Sequence, residues 1–190
     1  LKKLGYEKND VLAAIMPNVA AYPIVITGSC GVGVIITTVN PMYTPAEMSR
    51  QFELSKAKVI VTISAILPKV LEAIQKSGKN AKVIVADKRM DGHLSFQDMI
   101  EDDGSAYPET IRDFDHFNDV VVLPCSSGTT GPPKGVMLTH RNMIANSAIL
   151  LQTPELKFVR HTDGKQKLIH LPYALKVLSQ MKDSFNESYY

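Results

Sequence analysis

The sequence predicts an α/β domain with a mainly parallel sheet flanked by helices. Three observations carry that expectation. Short apolar runs rich in β-branched residues recur along the chain: VLAAIM at 11–16, VIITTV at 34–39, KVIVTI at 58–63, KVIVA at 82–86 and DVVVL at 119–123. Between them lie stretches with helical spacing and recognisable start and stop residues. The runs are near-continuously apolar instead of alternating, which is the pattern of strands covered on both faces.

The first strand stops at Pro17, and 18–30 (NVAAYPIVITGSC) comes next as a helix that Asn18 is placed to cap, with Pro23 expected to kink it or delay its start. Gly31 and Gly33 lead into the second strand, which Asn40-Pro41 ends. The next helix start is explicit. Thr44 can cap, Pro45 suits the first helical position, and Glu47 stands where a capping box needs it, so a helix is expected to about Ser55. A third helix should run from Pro68 to Lys76 with Val70, Leu71 and Ile74 on one face, ending near Gly78. Ser95 heads a short helix, and 102–118 is a polar surface connection. Thr139 is expected to cap a last helix presenting Met143, Ile144, Ser147, Ala148 and Leu151 on one face.

The tail differs. Residues 154–167 are charged, with His161-Thr162-Asp163-Gly164 as a turn signal, and Leu168 is expected to open one more strand, LIHLPY. The expected division is therefore one domain portion over 1–153 and a divergent or truncated tail over 154–190. The first residue is Leu1, so the chain is expected to begin inside a longer sequence or to have been processed.

Composition narrows the function classes. Of 190 residues, 45% are apolar and 21% charged, an ordinary globular mixture that excludes wholesale disorder. Twenty-one basic residues against 19 acidic leave a net charge of +2, so nucleic acid is not an expected partner. No run approaches the ~20 apolar residues of a spanning helix, and no leader pattern opens the chain. An intracellular protein, cytoplasmic or peroxisomal, is expected. Cys30 and Cys125 fit no metal spacing, nor do the five histidines, so no metal ligand set is assigned.

One segment carries chemistry: 124–135, PCSSGTTGPPKG, between a strand and a helix. Its composition suits a polyphosphate. Ser126, Ser127, Thr129 and Thr130 offer hydroxyl donors. Gly128, Gly131 and Gly135 allow close backbone approach, and Lys134 adds a compact positive charge. His140 is expected near this loop, without a catalytic role. The loop is not a Walker A loop. Gly128 and Lys134 have the right separation, but Pro133 replaces the second glycine and Gly135 replaces the magnesium-binding hydroxyl. A dinucleotide fingerprint also fails, because Ile36 stands where a third glycine should come after Gly31 and Gly33.

The longer stretch SSGTTGPPKGVMLTHRN resembles the phosphate-binding signature of the acyl-adenylate-forming (AMP-binding) enzymes, a group that includes acyl-CoA synthetases, 4-coumarate–CoA ligases and beetle luciferases. TVNPMYTPAE at 38–47 and VLAAIMPN at 11–18 resemble the 4-coumarate–CoA ligase branch, although a strand stop and a capped helix also account for 40–47. The resemblance runs over about 1–151 and implies the large N-terminal domain of such an enzyme. It implies ATP, with Mg2+, and a carboxylic acid as reactants, and coenzyme A as co-substrate. It further implies that Ser126, Ser127, Gly128, Thr129, Thr130, Gly131 and Lys134 hold the β- and γ-phosphates. No catalytic residue is assigned. The family's adenine-binding Gly-Tyr-Gly-x-Thr-Glu motif is not found in these 190 residues, and no His follows Leu171-Pro172. The rival expectation is a non-catalytic nucleotide-binding protein or degenerate truncated product that keeps only the phosphate grip.

Overall fold

The computed structural model describes residues 1–107, 114–126, 133–152, 159–162 and 165–168. The chain divides into two compact units, Leu1–His140 and Arg141–Tyr190.

The first unit is built on a seven-stranded sheet. Its strands are β1 (Val11–Ile15), β2 (Ile35–Thr38), β3 (Val59–Thr62), β4 (Lys82–Val85), β5 (Leu94–Ser95), β6 (Val120–Val122) and, after the short β7 (Cys125–Ser126) and β8 (Lys134–Gly135), β9 (Leu138–Thr139). They lie in the order β5-β4-β3-β1-β2-β6-β9. Every pairing is parallel except that of β6 with β9. Helices α1 (Ala21–Cys30), α2 (Pro45–Ser55) and α3 (Leu67–Ser77) make the crossovers between successive strands, and α4 (Phe96–Ile100) follows β5. The mainly parallel, helix-flanked sheet expected from the sequence is the fold observed.

Strand β1 shows why the runs are continuous. Leu12, Ala14 and Met16 enter one core layer with Val25 of α1, whereas Val11, Ala13 and Ile15 enter the other with Phe52 of α2 and Val70 of α3. Successive side chains point to opposite faces, and both faces are covered, so no position is left for a polar residue. Each large side chain buried this way contributes roughly 1.5–3 kcal/mol.

Local chemistry fixes the helix ends. At α2 the Glu47 amide donates to Thr44 Oγ1 at 3.3 Å, while the Thr44 amide donates to Glu47 Oε2 at 2.8 Å, the reciprocal box expected. Gly78, in the left-handed conformation, ends α3. Gly33 has φ +76°, and a Cβ there would meet Lys8 Cγ at 3.0 Å, so its glycine serves a tight turn before β2.

Two expectations need correction. Asn18 does not cap α1, which starts at Ala21 with Ala20 preceding it. Pro23 then falls in the first turn, where its missing N–H costs no helical bond. The buried residues of α3 are Leu67, Val70 and Ala73, with Leu71 at 40% exposure. Thr139 stands at the end of strand β9, immediately before α5 (His140–Gln152). In the second unit the strand expected to begin at Leu168 already begins at Lys165. Strand β10 (Val159–Thr162) pairs antiparallel with β11 (Lys165–Leu168), Thr162 opposite Lys165. The rest of LIHLPY lies outside the described residues.

Candidate functional site

The strand order reverses at β1, with β2 laid on one side and β3 on the other. Open α/β sheets bind ligands beyond the carboxyl ends of their strands, at such reversals. Several polar groups mark this edge. The Ser64 amide and hydroxyl donate to the Asp87 carboxylate at 2.8 and 2.6 Å, tying the ends of β3 and β4. Burial alone would raise the Asp87 carboxyl, but these two bonds outweigh it and hold it below the usual carboxylate range. Beside β2, Gln51 Nε2 donates to Thr37 Oγ1 at 3.0 Å and to the Thr38 carbonyl at 2.9 Å.

Strand β6 is parallel to β2, with Ile36 opposite Val122, so Pro124 leaves the sheet at this same edge. The described ends of segment 124–135, expected as a loop, carry two short strands. Its two ends form an antiparallel ladder, β7 with β8, that sets Cys125 opposite Gly135 and Ser126 opposite Lys134. The Val136 amide then donates to the Pro124 carbonyl at 2.8 Å. The chain returns through β9 before reaching α5, so the segment does not abut the helix N-terminus directly. A Cβ on Gly135 would stand 3.3 Å from Leu123 Cδ1, so this glycine permits the return strand to lie against the outgoing one.

Of the residues predicted to hold phosphate, Ser126 and Lys134 are described. Both are exposed, face one another across the ladder, and are linked by the Ser126 hydroxyl donating to the Lys134 carbonyl at 3.4 Å. Ser127, Gly128, Thr129, Thr130 and Gly131 lie outside the described residues. Burial raises the Cys125 thiol above its ordinary value, which disfavours a thiolate nucleophile beside the segment. Residues 124–139 contain no Asp or Glu, and among the described residues no group of three or more His, Cys, Asp and Glu can hold a metal. Magnesium therefore has no protein carboxylate in this stretch.

His140 is not near that segment. Its amide donates to the Asp119 carbonyl at 3.3 Å, and Val120 pairs with Thr139, which places it at the amino end of β6. The three residues of β6, about 10 Å of strand, separate the two places. Its ring meets Phe114 edge-on at 4.6 Å and His116 at 6.0 Å. Nothing in the spacing of the sequence signals this ring cluster, because Phe114 and His140 are brought together only by β6–β9 pairing.

Among the described residues no helix is long and apolar enough to cross a membrane. The family model described as "AMP-binding enzyme" matches residues 1–176. The chain is 35% identical over 164 residues to 4-coumarate–CoA ligase 2 of Solanum tuberosum, covering 86% of this chain and 29% of that protein. It is 40% identical over 149 residues to 4-coumarate–CoA ligase 3 of Oryza sativa subsp. japonica, covering 78% and 26%. A solved long-chain-fatty-acid–CoA ligase of Archaeoglobus fulgidus superposes with a TM-score of 0.67 at 29% identity, covering 79% of this chain and 29% of that one. The chain thus spans under a third of the length of these relatives.

Proposed function

The chain belongs to the AMP-binding enzyme family, and from that premise we propose that it is part of an ATP-dependent carboxylate–CoA ligase in which residues 126–135 grip the phosphates of ATP. On this reading 1–153 is a portion of the ligase's large domain. The reaction has two steps. A carboxylate oxygen attacks the α-phosphorus of ATP, the bond to the bridging oxygen breaks, and pyrophosphate leaves from an acyl adenylate. The sulfur of coenzyme A then attacks the acyl carbon and AMP departs, leaving a thioester.

The first step moves negative charge onto the leaving pyrophosphate. Preorganised hydroxyl and amide donors with one ammonium stabilise charge that appears there. Ser126, Ser127, Gly128, Thr129, Thr130, Gly131 and Lys134 are assigned that role. The observation that carries the assignment is the place of the β7–β8 ladder. It holds Ser126 and the exposed Lys134 side by side at the carboxyl edge of a parallel sheet. Mg2+ is expected to arrive with the triphosphate, since this stretch offers it no carboxylate; no step is assigned through it.

The second reading is a nucleotide-binding chain without turnover. Titration calorimetry with ATP and Mg2+ tests the grip. Binding is expected, and Lys134→Ala should weaken it by about 1.5–3 kcal/mol, the worth of one charge-assisted bond. Equal affinity of the two proteins sinks the assignment. An acyl-CoA assay on the same sample separates ligase from binder.

A further inference from the structure

Helix α2 buries an amide among apolar neighbours. Met48 and Phe52 enter the core layer shared with β1 and α3. Gln51, between them in sequence, is buried as well, and is the largest buried polar side chain among the described residues. Such a group is costly inside a protein unless its donors are met. Both protons of Gln51 Nε2 are met at the carboxyl end of β2, by Thr37 Oγ1 at 3.0 Å and by the Thr38 carbonyl at 2.9 Å.

The second of these bonds falls where the sheet changes. Strand β2 pairs with β6 at one register point, Ile36 with Val122, and the Leu123 amide donates to the Ile36 carbonyl at 2.7 Å. In a parallel ladder every second residue turns its carbonyl toward the same neighbouring strand. Continued by two residues, this ladder would bring the Cys125 amide to the Thr38 carbonyl. Cys125 instead stands opposite Gly135 in the β7–β8 ladder, and the donor that Thr38 receives is Gln51. The chain can therefore leave β2 after Leu123 without stranding a strand-end carbonyl. The same helix approaches β8, the arm that bears Lys134.

We infer that Gln51 is a positioning residue of the phosphate segment. By taking the ladder place of the Cys125 amide, it fixes where the chain leaves the sheet, and with that the base of the hairpin holding Ser126 and Lys134. The inference rests on the reading of 126–135 as the grip on ATP. Thr37 accepts the amide's other proton and contributes to stability, but it does not set the exit. A Gln51 that only stabilised the fold would leave the hairpin to its own ladder.

The two roles separate when wild type, Thr37→Val, Gln51→Leu and the double variant are each titrated with ATP and Mg2+ and unfolded in urea. Gln51→Leu should weaken ATP binding about tenfold or more, whereas Thr37→Val should leave it within about twofold. Adding Thr37→Val to Gln51→Leu should return stability without returning affinity, because the Thr38 carbonyl still lacks its donor. The Val136 amide, which donates to the Pro124 carbonyl across the hairpin base, gives a readout free of nucleotide. Its hydrogen exchange should quicken about tenfold in Gln51→Leu and stay quick in the double variant as stability returns. If Gln51→Leu does not fold, the double variant decides. Gln51 variants that bind ATP as wild type does overturn the inference, and so does affinity that recovers together with stability. Wild-type protein that binds no ATP defeats the phosphate reading instead. The Val136 exchange then decides by itself: quickened exchange upholds Gln51 as the residue that fixes the exit, and unaltered exchange overturns it.

Discussion

Gly135 and Leu123 meet so closely that a single added carbon on the glycine would lie 3.3 Å from the leucine's Cδ1. Leu123 is the residue after β6, and Gly135 ends the return arm of the segment that carries Ser126 and Lys134. The return arm of this segment thus lies against the sheet at a contact where any side chain would require Leu123 to shift. Gly135→Val should destabilise the protein by about 1–3 kcal/mol and weaken ATP binding. Leu123→Ala in the same chain should restore part of both. Additive losses in that double-mutant cycle, followed by thermal melts and titration, would show that the contact is not the brace.

The start of α2 provides a test of local chemistry. Thr44→Ala removes the acceptor for the Glu47 amide and one side of the reciprocal box. It should cost about 1 kcal/mol, a fall in Tm of roughly 2–4 °C for a chain of this size. Thr44→Ser should be nearly silent. An unchanged Tm in Thr44→Ala would mean that packing alone sets this helix end.

Gln51 is a buried polar residue with two acceptors, Thr37 Oγ1 and the Thr38 carbonyl. Gln51→Leu should cost about 1–3 kcal/mol, because both acceptors stay buried and unpaired. Adding Thr37→Val should return part of that loss, since removing both partners of a buried bond is far cheaper than removing one. Urea unfolding of the two variants measures the difference.

The ring cluster at the amino end of β6 predicts a pH dependence. Burial, and next the neighbouring His116, hold the His140 imidazole below its ordinary value, with Asp119 opposing them. A folded value below the unfolded one means that the unfolded chain takes the proton first. Stability is then full above the unfolded value, about 6.5, and is lost as pH falls through the folded one. Denaturation midpoints at pH 7.5 and 5.5 should differ, with the lower pH less stable. His140→Phe should reduce that difference, and an undiminished difference would place its origin elsewhere.

Much of the fold is legible in the sequence because each strand carries its own signal. Val11–Ile15 and Val59–Thr62 are continuous apolar runs, and Thr44 to Glu47 spell out a helix start in four residues. The start of α1 is less legible. Asn18 is a good capping type, but the helix waits until Pro23 falls in its first turn. At the candidate site, composition announces a phosphate grip. The β7–β8 ladder and the intervening β9 are not announced, because two-residue strands have no periodicity to display.

The two main core layers of the sheet draw their members from residues 1–99 alone. Strand β6 joins afterwards, pairing with β2 from more than eighty positions downstream at a single register point, Ile36 with Val122. The residues of those two layers therefore leave the ribosome before the segment with Ser126 and Lys134. Evolution can lengthen, shorten or retune it while the platform beneath keeps its shape.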